Sequence, residues 1–260
     1  MFTVPAMRTS ASNSAPVRRR GDAAPEHLLR APGEDIAESL QLLTGALAPR
    51  RRAVHEGDVV YRVGEAFSNL YVLNSGYCKI VNLSADGREQ VVALKFRGDW
   101  LGFDGIADQQ HTCDAVALDT GEVWVIPYQA LLAVCAAKPA LLRVIHEAMS
   151  REIASDRDSL MSVCTLTAEA RVADFLRYWA ESIARRGMRT DQITLRMSRA
   201  EMGNYLGMTL ETVSRSLSRL AREQLIQFAE KGRRDIRIPC VEALQGFVAR
   251  SLSPVPRVLQ

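Results

Sequence analysis

Between residues 54 and 127 the chain repeats short runs of β-branched and aromatic residues, and turn signals centred on glycine separate these runs. The runs read VVYRV, NLYVL, YCKIVNL, EQVVALKF, DAVAL and EVWVI. Many short strands at this spacing predict an antiparallel barrel or jelly roll, which can enclose a small ligand or serve as a packed scaffold. A short amphipathic helix over 34–48 precedes it.

After Pro127 the apolar period becomes helical, and a long stripe in steps of three or four follows on a helix that begins near Pro139. The stripe consists of Leu142, Ile145, Met149, Ile153, Asp156, Leu160 and Val163. A polar residue within a long apolar stripe is typical of a coiled-coil seam, so the stripe predicts a homodimer interface. Packing against the roll within a monomer is the alternative.

A second helix begins at the N-cap Thr167 and ends near Arg185-Arg186-Gly187, where cations and a glycine suit a helix C-terminus. The stretch SRAEMGNYLGMTLETVSRSL over 198–217 follows. Its Ser198 and Glu201 form a capping box that opens one helix, and Thr209 caps the next.

The glycines of this stretch predict a helix-turn-helix. Gly203 supplies the small residue that two crossing helices need where they touch, and Gly207 tolerates the positive φ of the turn. Val213 faces the first helix, whereas Ser216 stands where an aliphatic residue is expected, with Leu217 beside it. QLIQFAE and DIRI then flank a basic turn at 231–234, which predicts a β-hairpin wing.

These patterns predict an α+β chain with five parts. They are a disordered tail at 1–33, an antiparallel roll at 34–138, a dimerisation helix at 139–166, a winged helix-turn-helix at 167–250 and a tail at 251–260.

The formal net charge of +3 is distributed unevenly along the chain. Residues 1–166 contain 17 Lys and Arg against 20 Asp and Glu, whereas residues 167–238 contain 14 against 9. A basic segment on a nearly neutral chain is typical of a protein that binds a polyanion, because phosphate neutralisation supplies much of the affinity for DNA.

Composition also argues against several other classes of protein. The chain offers no secretory or transmembrane stretch, so a cytoplasmic protein is expected. Its five cysteines are scattered without a C-x-x-C pair, and its four histidines show no H-x-H pair. Neither a disulfide framework nor a metal site is therefore expected, and a metal-dependent jelly-roll enzyme is disfavoured.

The glycine-punctuated roll, the long helix and the motif GNYLGMTLETVSR together resemble the Crp-Fnr family, which comprises the cyclic-AMP receptor and the fumarate-nitrate reduction regulators. The resemblance covers about 34–250. It is closest to the fumarate-nitrate branch, because LGFDGI, EVWVIPY and the triplet Glu211, Ser214 and Arg215 match that branch. The implied partners are double-stranded DNA, a second copy of the chain and RNA polymerase.

The resemblance argues against both of the family's familiar ligands. Cyclic-AMP binders use a glutamate and an Arg-Ser or Arg-Thr pair, where this chain has Phe103 and His111-Thr112. Neutral histidine replaces poorly the fixed charge and forked donors of arginine. The iron–sulfur members use cysteines before the roll and one inside it, but this chain has none before Cys78 and carries Trp124 at the internal position.

The residues that read DNA bases in this branch are intact. Arg215 can donate two hydrogen bonds to guanine, Glu211 can accept one from cytosine N4, and Ser214 can approach a thymine or adenine edge. The branch thereby implies a TTGAT-N4-ATCAA palindrome. By the same resemblance, the phosphate contacts are Ser198, Arg199, Thr209 and Thr212.

The signal stays open among a diatomic gas bound through haem, thiol oxidation at Cys113 or Cys164, a small metabolite in the roll, and no ligand at all. Activation and repression are equally open. The alternative function is a signalling module that binds a cyclic nucleotide or another small ligand without acting on DNA. It is disfavoured because the chain lacks both the Arg-Ser pair and a downstream catalytic domain.

Overall fold

The computed structural model describes residues 33–84, 87–190, 192–229 and 235–252. Its helices are α1 (Glu34–Leu47), α2 (Tyr128–Ala137), α3 (Pro139–Thr165), α4 (Ala168–Ala184), α5 (Arg199–Leu206), α6 (Leu210–Arg222) and α7 (Val241–Leu252). Its strands are β1 (Arg50–Val54), β2 (Val59–Tyr61), β3 (Asn69–Ser75), β4 (Cys78–Leu83), β5 (Glu89–Lys95), β6 (Trp100–Leu101), β7 (Asp114–Ala117), β8 (Gly121–Pro127), β9 (Gln192–Thr194), β10 (Gln227–Phe228) and β11 (Asp235–Arg237). The tail predicted at 1–33 lies outside the described residues except for Gly33, and the wing tip at 231–234 lies outside them entirely.

The first eight strands form two antiparallel sheets of four strands each. Their orders are β1-β8-β3-β6 and β2-β7-β4-β5. Side chains from both sheets, among them Tyr61, Leu73, Ile80 and Val123, form one buried cluster, so the sheets pack face to face. This confirms the predicted antiparallel roll.

Strand β1 escaped the sequence prediction because three consecutive arginines hide its β pattern. It pairs with β8 at the edge of its sheet, where charged side chains remain in contact with water. Arg52 donates to the carbonyls of Val59 and Val60 at 2.8 and 2.9 Å, and the Arg51 guanidinium lies 6.0 Å from the centre of the Trp124 ring. These contacts hold Arg51 and Arg52 in a strand, although the sequence pattern alone is typical of a loop.

Helix α3 is 27 residues long and begins at Pro139, as its sequence predicts. In its first half Leu141, Ile145 and Ala148 are buried in a cluster shared with α1, α2 and the roll. At its middle, Glu152 forms an ion pair with the buried Lys95 of β5, with 2.7 Å between Oε1 and Nζ. The first half of α3 is therefore fixed to its own roll.

The winged helix-turn-helix shares a hydrophobic core with the roll. Val91, Phe96 and Leu118 of the roll belong to the same buried cluster as Phe175 and Trp179 of α4. The two predicted domains are thus joined by a continuous apolar interface.

Arg186 adds polar contacts to this interface. The sequence suggests a simple cation at the end of α4, and its Nη1 does donate to the Ser182 carbonyl at 2.6 Å. The side chain is nevertheless buried against the roll. Its Nη2 donates to Asp99 at 2.6 Å, and its guanidinium lies 5.0 Å from the centre of the Phe96 ring. Sequence reasoning missed this contact between roll and α4.

Candidate nucleic-acid interface

The first helix of the motif, α5, begins with the predicted capping box. The Ser198 hydroxyl accepts from the Glu201 amide at 3.2 Å, and the Glu201 carboxylate accepts from the Ser198 amide at 2.8 Å. Both contacts satisfy amides that the first turn of a helix leaves without partners. The helix start is therefore fixed by two residues that the sequence identifies.

The turn between α5 and α6 depends on two glycines. A Cβ at Gly203 would lie 2.5 Å from the carbonyl oxygen of Met208, which leaves no room for any larger residue. Gly207 has φ +63°, the left-handed conformation that glycine adopts without strain. Arg171 of α4 donates to the Leu206 carbonyl at 2.7 Å and so caps the end of α5. The two glycines have the roles predicted for them.

The second helix, α6, is capped by Thr209, whose hydroxyl accepts from the Thr212 amide at 3.2 Å. Val213 and Leu217 are buried, as predicted, and Ser216 is buried beside them. The position at Ser216 therefore belongs to the core although its residue is polar. Burial of both Ser216 and Leu217 fixes which face of α6 remains outside.

The outer face of α6 carries the three predicted base-reading residues. Glu211 and Arg215 are exposed, and Ser214 is half-buried between them. Hydrogen bonds from a backbone amide in the first turn and from Thr209 lower the pKa of Glu211, so its carboxylate is ionised at neutral pH. An ionised carboxylate only accepts hydrogen bonds, which suits a cytosine amino group.

Two further residues share this face. Ser218 and Arg222 line the same concave surface as Ser214 and Arg215. Helical spacing could have revealed them, because Ser218 follows Ser214 by four residues and Arg222 follows Arg215 by seven. The basic surface thus extends to the last turn of α6.

The four predicted phosphate contacts lie at helix starts. Ser198 and Arg199 open α5, whereas Thr209 and Thr212 open α6, where amides and the helix dipole favour an anion. The Arg199 guanidinium also lies 5.8 Å from the centre of the Phe228 ring of β10. Arg199 is therefore packed against the wing as well as placed at a helix start.

The wing is a three-stranded antiparallel sheet in the order β10-β11-β9. Sequence reasoning identifies β10 and β11 but misses β9, a strand of three residues far from the hairpin along the chain. Thr194 of β9 donates to Asp235 of β11 at 2.6 Å. The root of the predicted wing is therefore well anchored.

The residues of the predicted dimer stripe fall into two groups. Ile145 is buried against the roll and Met149 is half-buried there, so both contact their own chain. The remaining members, Leu142, Ile153, Asp156, Leu160 and Val163, are exposed, with Leu160 at 64%. Met161, also exposed, was missed.

The interior of the roll is packed around His111. This side chain is 3% exposed, and its ring stacks on Tyr61 at 3.9 Å and meets the edge of Phe67 at 5.6 Å. The Asp104 carboxylate accepts from the Thr112 amide at 2.8 Å and lies 3.5 Å from His111 Nδ1, too far for a well-formed hydrogen bond. A carboxylate therefore lies directly beside the His111-Thr112 pair.

The two other diagnostic positions of the roll are also filled by aromatic residues. The Phe103 ring lies 5.9 Å from Trp100 in a stacked arrangement. Trp124 is buried and donates from its indole to Glu122 at 2.8 Å. Neither residue can supply a carboxylate or a thiolate there.

The cysteines differ in their exposure to solvent. Burial raises the pKa of Cys78 and of Cys113 to about 12, so both stay protonated at neutral pH. Cys164 and Cys240 are exposed. Within the described ranges, no three His, Cys, Asp or Glu side chains lie together as metal ligands.

None of the described helices combines the length and the apolar character that crossing a bilayer requires.

Comparison with known proteins agrees with this architecture. The family model of the cyclic nucleotide-binding domain matches residues 51–138, and that of the Crp-like helix-turn-helix domain matches residues 170–247. Electron transport regulator A of Shewanella oneidensis is 34% identical over 182 residues, which are 70% of this chain and 73% of that protein. The fumarate and nitrate reduction regulatory protein of Vibrio cholerae shows the same identity and coverage.

The transcriptional activator protein Anr of Pseudomonas protegens is 34% identical over 69% of this chain and 74% of its own length. Among solved structures, FixK2 from Bradyrhizobium japonicum superposes with a TM-score of 0.68 at 27% identity, covering 77% of this chain and 97% of that one. The three relatives from Shewanella, Vibrio and Pseudomonas are named as regulators or as a transcriptional activator. The chain belongs to the Crp-Fnr family and is a DNA-binding transcriptional regulator of the fumarate-nitrate type.

Proposed function

We propose that the chain binds as a homodimer to a palindrome resembling TTGAT-N4-ATCAA. The observation that carries this proposal is the outer face of α6, where Glu211 and Arg215 are exposed and charged while the opposite face is buried. A helix held in this way can enter the major groove with its polar residues towards the base edges.

Each base-reading residue has a defined task in this proposal. Arg215 donates to guanine O6 and N7, Glu211 accepts from cytosine N4, and Ser214 contacts an adenine or thymine edge. Ser198, Arg199, Thr209 and Thr212 contact phosphates that fix the register of the protein on the duplex.

The proposed dimer seam is the exposed later part of the stripe on α3, from Ile153 to Val163. Ile153, Leu160 and Val163 follow each other by seven and three residues, so they share one face of the helix. Large apolar side chains exposed along one helix face favour association with a second copy. Burial of Ile145 against the roll limits the seam to the later turns of α3.

The proposal extends to the cellular setting and the roll. We infer a cytoplasmic protein that contacts RNA polymerase from its DNA site. We also infer that the roll binds no cyclic nucleotide, because the position that the family resemblance assigns to the cyclic phosphate holds His111 and Thr112 beside the Asp104 carboxylate.

Fluorescence anisotropy with labelled duplexes tests the DNA site. The protein is expected to bind the palindrome about 10³-fold or more tightly than a scrambled duplex at physiological salt. Equal affinity for the two duplexes would contradict a sequence-specific role. A titration with a single half-site separates monomer binding from dimer binding, since only a dimer gains from the second half-site.

A further inference from the structure

Helix α5 is attached to an open edge of the roll through Asn204. Strand β5 is the last strand of its sheet, so its outward backbone groups have no neighbouring strand within the part of the chain that the structure describes. The Asn204 amide meets two of these groups, accepting from the Val91 amide at 2.5 Å and donating to the Glu89 carbonyl at 2.7 Å. One side chain thereby makes two hydrogen bonds of the kind that an adjacent strand would make.

This pairing fixes the orientation of the Asn204 side chain relative to β5 as well as its position. A carboxamide offers a donor and an acceptor in one rigid plane, so it meets an amide and a carbonyl of the same strand in only one orientation. The Gln90 side chain also donates to the Asn204 carbonyl, which joins the same strand to the backbone of α5. Three hydrogen bonds therefore define the position of α5 along β5.

Two further contacts hold α5 from other sides. Lys79 of β4 reaches Glu201 at 2.6 Å, with 15% of the lysine side chain exposed. Burial raises the pKa of Glu201, but hydrogen bonds from Lys79 and Ser198 outweigh it and lower the pKa overall. On the α3 side, the hydroxyls of Tyr205 and Ser159 lie 3.4 Å apart. Helix α5 is thus held between the roll and α3.

The attachment leaves the base-reading face free. Glu211 and Arg215 remain exposed while α5 contacts β4 and β5. We propose that Asn204 and Lys79 are positioning residues, which set the angle of the helix-turn-helix relative to the roll and so determine the half-site spacing that the dimer accepts. This inference rests on the proposed palindrome and dimer.

The geometry of DNA explains why such an angle matters. One additional base pair between half-sites rotates them by about 34° and separates them by about 3.4 Å. A helix-turn-helix fastened to the roll, and through Lys95 and Glu152 to α3, cannot follow this change without strain. A helix-turn-helix whose attachment is loosened can follow this change. The preference for one spacer length over another therefore reports how rigid the attachment is.

Binding to palindromes with spacers of four and five base pairs tests the inference. The variant Asn204→Ala removes the paired amide, and Asn82→Ala makes the same chemical change at an exposed position of neighbouring β4. Wild type and Asn82→Ala should strongly prefer the four-base-pair spacer. In Asn204→Ala the ratio of the two affinities should fall about tenfold, roughly the effect of losing one or two net hydrogen bonds.

A second pair of variants covers the case in which Asn204→Ala fails to fold. Lys79→Met should reduce the spacing ratio, whereas Lys79→Arg, which keeps a cation for Glu201, should restore it. Thermal unfolding of each variant separates loosening from global destabilisation.

Several results would overturn the inference. Equal weakening on both spacers would assign Asn204 and Lys79 a purely structural role, and tighter binding would mean that the attachment inhibits DNA binding. Failure of the wild type to prefer the palindrome over scrambled DNA would instead reject the proposed site, and this inference with it.

Discussion

The outer face of α6 and the interior of the roll both collect polar side chains, but they place them in opposite surroundings. Glu211 and Arg215 extend into solvent, where a partner can reach them. His111, by contrast, is enclosed by the rings of Tyr61 and Phe67, inside the domain that matches a cyclic nucleotide-binding family. The side chains proposed to read DNA are therefore exposed, whereas His111 is part of the packed interior of the roll.

The difference teaches how a shared fold can separate scaffold from recognition. A buried polar group is costly unless it is satisfied, and His111 is 3% exposed between the rings of Tyr61 and Phe67. Exposed polar groups on α6 contribute little to folding, so they remain available for binding. Four changes test or refine this comparison.

The largest effect is expected on the outer face of α6. Arg215→Ala should lower affinity for the palindrome by about 1 to 3 kcal/mol and relax the preference for guanine, because the bidentate contact is lost. Arg199→Ala should weaken binding to all sequences alike. Anisotropy titrations on specific and scrambled duplexes at one salt concentration measure both, and equal losses on the two duplexes for both variants would refute the base-reading role.

A comparable effect on stability is expected within the motif. Gly203→Ala should destabilise the fold by about 1 to 3 kcal/mol, because the new methyl group meets the Met208 carbonyl oxygen. Gly45 of α1 is the matched control, since nothing lies within 4 Å of a Cβ built there. Gly45→Ala should stabilise by about 0.5 to 1 kcal/mol. Chemical denaturation of both variants gives the two signs, and a neutral Gly203→Ala would contradict the close helix crossing.

A smaller effect is expected at the proposed dimer seam. Asp156 is exposed between Ile153 and Leu160, and two-fold symmetry would bring it near its own copy. Repulsion between two carboxylates in water amounts to about 1 kcal/mol at contact distance, so Asp156→Ala should tighten the dimer about fivefold. Sedimentation over a concentration series checks this. An unchanged or weaker dimer would place Asp156 away from the axis.

No effect is expected from cyclic AMP. Because His111 is enclosed by aromatic rings and Phe103 stacks on Trp100, millimolar nucleotide should change neither the melting temperature nor the affinity for DNA. Thermal shift and anisotropy with and without the nucleotide provide the readouts. A saturable stabilisation that follows RT ln(1 + [L]/Kd) would show that the interior opens to a ligand.

Helix α3 shows a second contrast, which sequence periodicity hides. The stripe from Leu142 to Val163 reads as one seam, yet Ile145 lies in the core with the roll while Leu160 is 64% exposed. A helical period reports which residues share a face but not what covers each part of it. The structure divides the stripe between intramolecular packing and the surface proposed for dimerisation.

Local signals in the sequence determined the recognition motif. Capping at Ser198 and Thr209, the steric demand at Gly203 and the positive φ at Gly207 involve neighbours only a few residues away, so residue type and spacing suffice to predict them. The strands of the roll were found for the same reason, except β1, whose arginines mask the pattern, and β6, which has only two residues.

Only the tertiary structure decided how the two domains are joined. Asn204 meets β5 across more than 110 positions of sequence, and Arg186 meets Asp99 across 87. Such contacts leave no periodic pattern in the sequence. Each needs only one polar side chain, which the fold brings close to a partner far away along the chain. The sequence therefore determined what can bind DNA, whereas long-range packing decided how that surface is held.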